Sequence, residues 1–309
     1  AGLRCLFGLT AGVGRGRGCS GQVRAIIVFD LSGAAEGMLL YGKMEGEAIG
    51  IQRDETILSE AKSVMRRDGL VMRPAMPWST SVHKLLRHME QTGFKEAPRV
   101  DGTGFAPDGR ETLAYMDGEF VHPCPWSDEG IIEVGRLLRR LHDAAASFEP
   151  GADAVWQPWF LRELGGANRI CGHGDVAPWN MVTKDGLPVA LIDWEYAGPV
   201  DPMAELARVC WLFPQLHDDD VAERAGLPPL EVRARQLRLL VDAYGVDRER
   251  RSGLLNLIIE VAVFETAQEA IDGNAGPDSH GPLWGLAWRA RAAAWMMRHR
   301  AVLERALME

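Results

Sequence analysis

With 309 residues, 47% of them hydrophobic and 25% charged, the chain has the composition of an ordinary soluble globular protein long enough for two lobes. A net charge of -9 argues against wrapping a nucleic-acid backbone, which needs a basic footprint, and suits a cationic partner better. No stretch approaches the roughly 20 apolar residues of a membrane span, the first residues lack the pattern of a signal peptide, and the five scattered cysteines read as reduced thiols. A cytoplasmic protein with no membrane or nucleic-acid partner is expected.

Residues 1–53 read as an atypical, glycine-rich, poorly ordered extension. The first 43 residues hold five basic side chains and two acids, unlike the acidic remainder. They contain "GRGCSGQV" at 16–23, which fits a glycine-rich phosphate loop, with Lys43 as a conceivable lysine for it. A glycine-dense tract matches such a pattern easily, so this reading ranks second.

Regular patterning begins near residue 54. "KSVMRRDGLVMRP" predicts strand, turn and strand around Asp68-Gly69, closed by Pro74. "STSVHKLLRHMEQTG" predicts a helix capped by Ser79 or Ser81, with Val82, Leu85, Leu86 and Met89 on one face. "APRVDGTGFAPDGRETLAYMDGE" predicts two more strands joined by "PDGR". After Gly118 the chain turns helical: "SDEGIIEVGRLLRRLHDAAASF" lines up Ile131, Val134, Leu138, Leu141 and Ala145, with Ser127 or Asp128 as cap. Helical patterning dominates again from 201, where Asp201 and Pro202 read as a helix start. The expected architecture is α+β: a small β-rich lobe with one helix over 54–118, then a larger α-rich lobe over 119–309.

Between those helical stretches lies "GHGDVAPWN" at 172–180, followed by "MVTKDGLPVALIDWE". The Asp185-Gly186 pair predicts a hairpin, and pairing Lys184 with Leu187 sets Asn180 opposite Leu191. Asp193 then emerges just past the end that carries Asn180. Asp175 precedes Asn180 by five residues, so a carboxylate, an amide oxygen and a second carboxylate can share one cavity. Such oxygen ligands suit Mg²⁺, which shares its shell with substrate phosphates. Other readings of these residues are plain turn and cap aspartates, or a zinc site at Cys171 and His173 that lacks a second pair.

"HGDVAPWN", "LIDWE" and "DPMAEL" together resemble the aminoglycoside phosphotransferase and choline kinase group, small-molecule kinases on the two-lobed protein-kinase scaffold. The likeness runs over about 54–300. It implies a phosphotransferase using Mg²⁺ and ATP, or GTP, on a small hydroxylated molecule, with Asp175 as the catalytic acid-base residue and Asn180 and Asp193 as metal ligands. His173 and Asp201 would support the catalytic loop. The expected phosphate loop reads "LSEAKSV", without glycine but with Ser59 and Ser63, and the strand position that carries a lysine in kinases holds Arg73. Tyr115 and Met116 are assigned with these to the nucleotide site. The helix partner of that cation is unsettled, with His83 or Glu90 where a glutamate is expected. Glu265, Glu269 and Asp272, about one turn apart, are either a solvated face or a pocket for a cationic substrate such as an aminoglycoside. The unusual small lobe keeps a second function open, a nucleotide-binding pseudoenzyme serving as an interaction module.

Overall fold

The computed structural model describes residues 55–60, 62–280 and 283–309. The "GRGCSGQV" tract, Lys43 and the rest of 1–53 lie outside them. The small lobe is a five-stranded antiparallel sheet made of β1 (Glu55–Ser59), β2 (Val64–Arg67), β3 (Leu70–Arg73), β4 (Val100–Phe105) and β5 (Glu111–Ala114), in the order β1-β2-β3-β5-β4. Helix α1 (Ser79–Gln91) packs on it between β3 and β4. Asp68 and Gly69 turn β2 into β3 with φ of 51° and 77°, the left-handed pair that a two-residue hairpin needs.

Val82, Leu85, Leu86 and Met89 form the buried stripe of α1, as their spacing predicts. Its cap differs from expectation. Trp78 occupies the cap position with no side-chain bond, because Ser79 Oγ accepts from the Met76 amide and Ser81 Oγ from the Val155 amide. The two serines tie neighbouring loops to the helix instead of closing its end.

The large lobe begins with α2 (Asp128–Ala145), where Ser127 Oγ does accept from Gly130 N at 3.0 Å. It continues through β6 (Ile170–Gly172), β7 (Met181–Lys184), β8 (Leu187–Leu191), β9 (Gly198–Val200) and α3 (Pro202–Leu212). After these come α4 (Asp219–Arg224), α5 (Leu230–Tyr244), α6 (Arg248–Arg251), α7 (Leu254–Asp272), α8 (Trp284–Arg298) and α9 (Arg300–Met308). The predicted stripe of α2 is fully buried, and Trp288 and Trp295 of α8 are core residues. Burying each large aliphatic side chain contributes about 1.5–3 kcal/mol, which is what holds α2 against α5 and the hairpin. No helix among the described residues is long and apolar enough to cross a membrane.

The β7–β8 hairpin pairs Lys184 with Leu187, but its register slips by one residue between Val182 and Thr183. Thr183 faces Pro188 while Val182 faces Ala190, so Val189 bulges out, 37% exposed. Pro188 has no N–H for the ladder, and the bulge accommodates it. The expected Asn180–Leu191 pairing is therefore corrected. Met181 faces Leu191, and Asn180 accepts instead from the Ile192 amide at 3.0 Å. That bond brings Asn180 next to Asp193.

Candidate active site

The catalytic-loop candidates sit between β6 and β7, in a segment walled by buried apolar side chains. Asp175 is 7% exposed. Its Oδ1 lies 2.8 Å from Arg208 Nη1, and its Oδ2 accepts from Asn180 Nδ2 at 2.8 Å. The same Asn180 nitrogen donates to the Asp175 carbonyl at 3.0 Å, so the amide oxygen is the side-chain group Asn180 has left for a cation. Burial pushes the Asp175 carboxyl up to about 6, outweighing the opposing pull of Arg208.

His173 is wholly buried and uses both nitrogens locally. Nδ1 accepts from the Asp175 amide at 3.1 Å, which leaves Nε2 as the donor to the Ile192 carbonyl at 3.0 Å. Burial lowers its pKa to about 4, so the ring is the neutral tautomer bridging the Asp175 loop to the Asp193 turn. The Trp194 ring, centred 4.6 Å from the imidazole and tilted 57° to it, packs against that bridge.

Support from below comes from α3. Asp201 caps it by accepting from the Met203 amide at 2.7 Å and also takes the Gly166 amide. One turn on, Glu205 is buried, accepts from the Gly174 amide, and faces His142 Nε2 at 2.9 Å. Sequence reading did not single out Glu205, although it lies in the "DPMAEL" phrase. Gly174 itself has φ of 78°, and a Cβ there would fall inside contact distance of the Tyr196 carbonyl oxygen. Gly174→Ala is therefore expected to cost at least about 1–3 kcal/mol in backbone strain and to dislodge Asp175, read as a lowered unfolding midpoint together with lost activity. A cavity of about 220 Å³ opens behind this support, bordered by His142, Tyr244 and Met203, and none of Asp175, Asn180 and Asp193 lines it.

Asp193 stands at the end of the hairpin in a left-handed backbone, φ 63° and ψ 63°. Its two oxygens hold two cations from the small lobe: Arg73 Nη1 at 3.0 Å and Lys62 Nζ at 3.2 Å. Burial pushes its carboxyl up, but these charges outweigh burial and hold it below the ordinary carboxylate range. Arg73 is anchored in turn by Glu111, its cross-strand partner on β5, and Glu111 accepts at its other oxygen from His83 of α1 at 2.8 Å. This settles the partner of the small-lobe cation. The ion pair of Arg73 is with a strand glutamate, which His83 backs, while Glu90 lies 3.6 Å from Arg99. Neither Lys62 nor Glu111 was singled out from the sequence.

Other expected residues fall where the chain path puts them. Ser59 Oγ accepts from the Lys62 amide at 3.3 Å, inside its own turn, and Ser63 is exposed with φ of 50°. Tyr115 and Met116 lie half-buried in the connector that follows β5, with the Tyr115 ring 4.1 Å beneath the Arg66 guanidinium. Glu119 and Thr183 exchange main-chain bonds, which pins that connector to the β7–β8 hairpin. Glu265 is not an exposed substrate carboxylate. It is buried, with Arg208 Nε at 2.8 Å from one oxygen and Arg289 Nε at 3.2 Å from the other. Glu269 is half-buried beside Arg289, and Asp272 is exposed and accepts from Gln268.

The donor set fits a magnesium ion: a carboxylate and an amide oxygen from adjacent backbone, with two protein cations already drawn to the carboxylate as stand-ins.

The fold is two-lobed and kinase-like, and the comparisons agree. Residues 152–254, which span the Asp175 loop and the hairpin, match the model of the phosphotransferase enzyme family APH, and with the relative described next the chain belongs to that family. It is 52% identical over 247 residues to the trifolitoxin immunity protein of Rhizobium leguminosarum bv. trifolii, covering 79% of this chain and 95% of that protein. Among solved structures it is similar to the amicoumacin kinase hAmiN, with a TM-score of 0.57 at 11% identity over 81% of this chain and 88% of that one. A choline/ethanolamine kinase family protein from Mesorhizobium loti superimposes with a TM-score of 0.52 at 16% identity, over 84% and 94% of the two chains. The gentamicin complex of APH(2")-IIa gives 0.50 at 14% identity, over 82% and 94%. At these identities the structural likenesses speak for the fold.

Proposed function

We propose that this protein transfers the γ-phosphoryl group of a nucleoside triphosphate to a hydroxyl of a small toxic compound, protecting the cell that makes the enzyme. The observation that carries the reading is the convergence of Asp175, Asn180 and Asp193 around the Asn180–Ile192 main-chain bond. The toxin as acceptor is suggested by the relative named for immunity to trifolitoxin. An acidic chain draws a cationic acceptor toward it. Glu269 and Asp272 would meet its amines at the rim, while Glu265 acts from behind through Arg208.

In the mechanism, Asp175 orients the acceptor hydroxyl and takes its proton as the oxygen–phosphorus bond forms and the bond to the nucleoside diphosphate breaks. Arg208 and Asn180 fix the carboxylate so that one face meets the hydroxyl. Arg73 and Lys62 supply positive charge where the phosphates would lie. Asn180 and Asp193 would hold Mg²⁺, which when bound neutralises charge on the transferring phosphates.

Because Asp175 works ionised and its carboxyl sits near 6, kcat should climb between about pH 5 and pH 7 and level off above. The raised value also means that the folded state holds the proton more tightly than the unfolded chain. The Asp175 contribution to stability is therefore lost as pH rises from 3.8 to about 6, opposite in sign to the activity limb. A pH–rate profile paired with unfolding midpoints over the same range checks both.

A second reading, the nucleotide-binding pseudoenzyme, draws on two observations: both Asp193 oxygens are engaged by cations, and the β1–β2 turn has no glycine. Incubating the protein with γ-labelled ATP or GTP, Mg²⁺ and a pool of hydroxylated amines, sugars and antibiotics separates the two. Label in a small product supports the kinase. Nucleotide binding without any transfer across the pool supports the pseudoenzyme.

A further inference from the structure

Lys62 lies in the β1–β2 turn, and its ammonium crosses the cleft to two carboxylates of the large lobe. It reaches Asp193 Oδ2 at 3.2 Å and Glu195 Oε1 at 2.7 Å. Its side chain remains 45% exposed, whereas Arg73, the other cation on Asp193, is 16% exposed and anchored by Glu111. One cation is fixed, and the other is tethered at the rim on a flexible stem.

The turn around Lys62 cannot do what a glycine-rich loop does. Glycine loops bind phosphate through main-chain N–H groups that come close because nothing projects from them. Here the Lys62 amide is spent on Ser59 Oγ and the Ser63 amide on the Glu60 carbonyl at 3.1 Å. What the turn offers instead is a lysine ammonium, a compact charge with three donors suited to phosphate oxygens.

We propose that Lys62 is the phosphate-gripping residue of this turn. In the nucleotide-free protein Asp193 and Glu195 hold it over the site. A magnesium-bound triphosphate brings an anion for Lys62 and a cation for Asp193, so both keep a partner in the exchange and only the half-buried Glu195 is released. The grip is on the terminal phosphates, which makes Lys62 a reader of triphosphate over monophosphate. This inference rests on the nucleotide-dependent reading above.

The test is calorimetric binding of ATP and of AMP, each with Mg²⁺, to wild type, Lys62→Ala and Lys62→Arg. Lys62→Ala should lose about ten- to a hundredfold in ATP affinity, the worth of a charged hydrogen bond, and keep its AMP affinity. Lys62→Arg should recover most of the loss. All three should melt together, since a half-exposed ion pair adds little stability. Equal ATP binding by wild type and Lys62→Ala overturns the assignment, and so does a parallel loss for ATP and AMP, which marks a merely structural lysine. Wild type that binds no ATP overturns the nucleotide-dependent reading itself, and the role of Lys62 falls with it.

Discussion

Asp175→Asn is expected to lower kcat by about a thousandfold or more while the protein stays folded. The substitution removes the proton acceptor but keeps the shape, and an amide oxygen still meets Asn180 Nδ2. Arg208 is not stranded, because Glu265 takes its Nε at 2.8 Å and its Nη2 at 3.2 Å, and the Val176 carbonyl lies 3.3 Å from Nη1. The pH limb near 6 should vanish from whatever activity remains. Turnover by label transfer, with a thermal melt alongside, decides it. A variant within about tenfold of wild type would remove Asp175 from the role of base.

Glu265→Ala should be strongly destabilising, by about 3–5 kcal/mol, because it takes from two buried guanidinium groups the carboxylate they share. Arg208 and Arg289, 2% and 1% exposed, both lean on this carboxylate. The Asp175 loop should feel the loss as well. The negative charge of Glu265 helps hold the Asp175 carboxyl up, so without it the pKa falls and the pH–rate limb moves to lower pH. Denaturant unfolding gives the first effect and the pH profile the second. Glu265→Gln, which keeps the volume and a hydrogen-bond acceptor, should lose less stability and shift the limb in the same direction.

Local features were the legible part of the sequence. The apolar stripes of α1 and α2, the Asp68-Gly69 turn and the Asp175-to-Asn180 spacing each lie within a single helix, turn or loop, where periodicity and turn chemistry operate. What escaped was set at long range. Glu111 meets Arg73 only because β5 lies beside β3 in register, 38 residues on. Arg208 and Glu265 pair across 57 residues from different helices, with no shared periodicity to announce them. The hairpin register failed by one residue for a local reason, since Pro188 signalled an interrupted ladder but not the side on which the extra residue would bulge. Lys62 stands in plain view in "SEAKSV"; a cation in a glycine-free turn at the position expected for a phosphate loop is its sign in the sequence.

The anchoring of Arg73 has a consequence for control. In protein kinases the phosphate-binding lysine is paired with a glutamate on the small-lobe helix, and displacing that helix turns the enzyme off. Here the partner is Glu111, fixed beside Arg73 by strand pairing, with His83 of α1 only bracing it from behind. A regulator that rocked α1 would leave the Arg73–Glu111 pair in place. In the proposed enzyme the small-lobe cation is thus seated by strand pairing alone, without waiting for a helix to move.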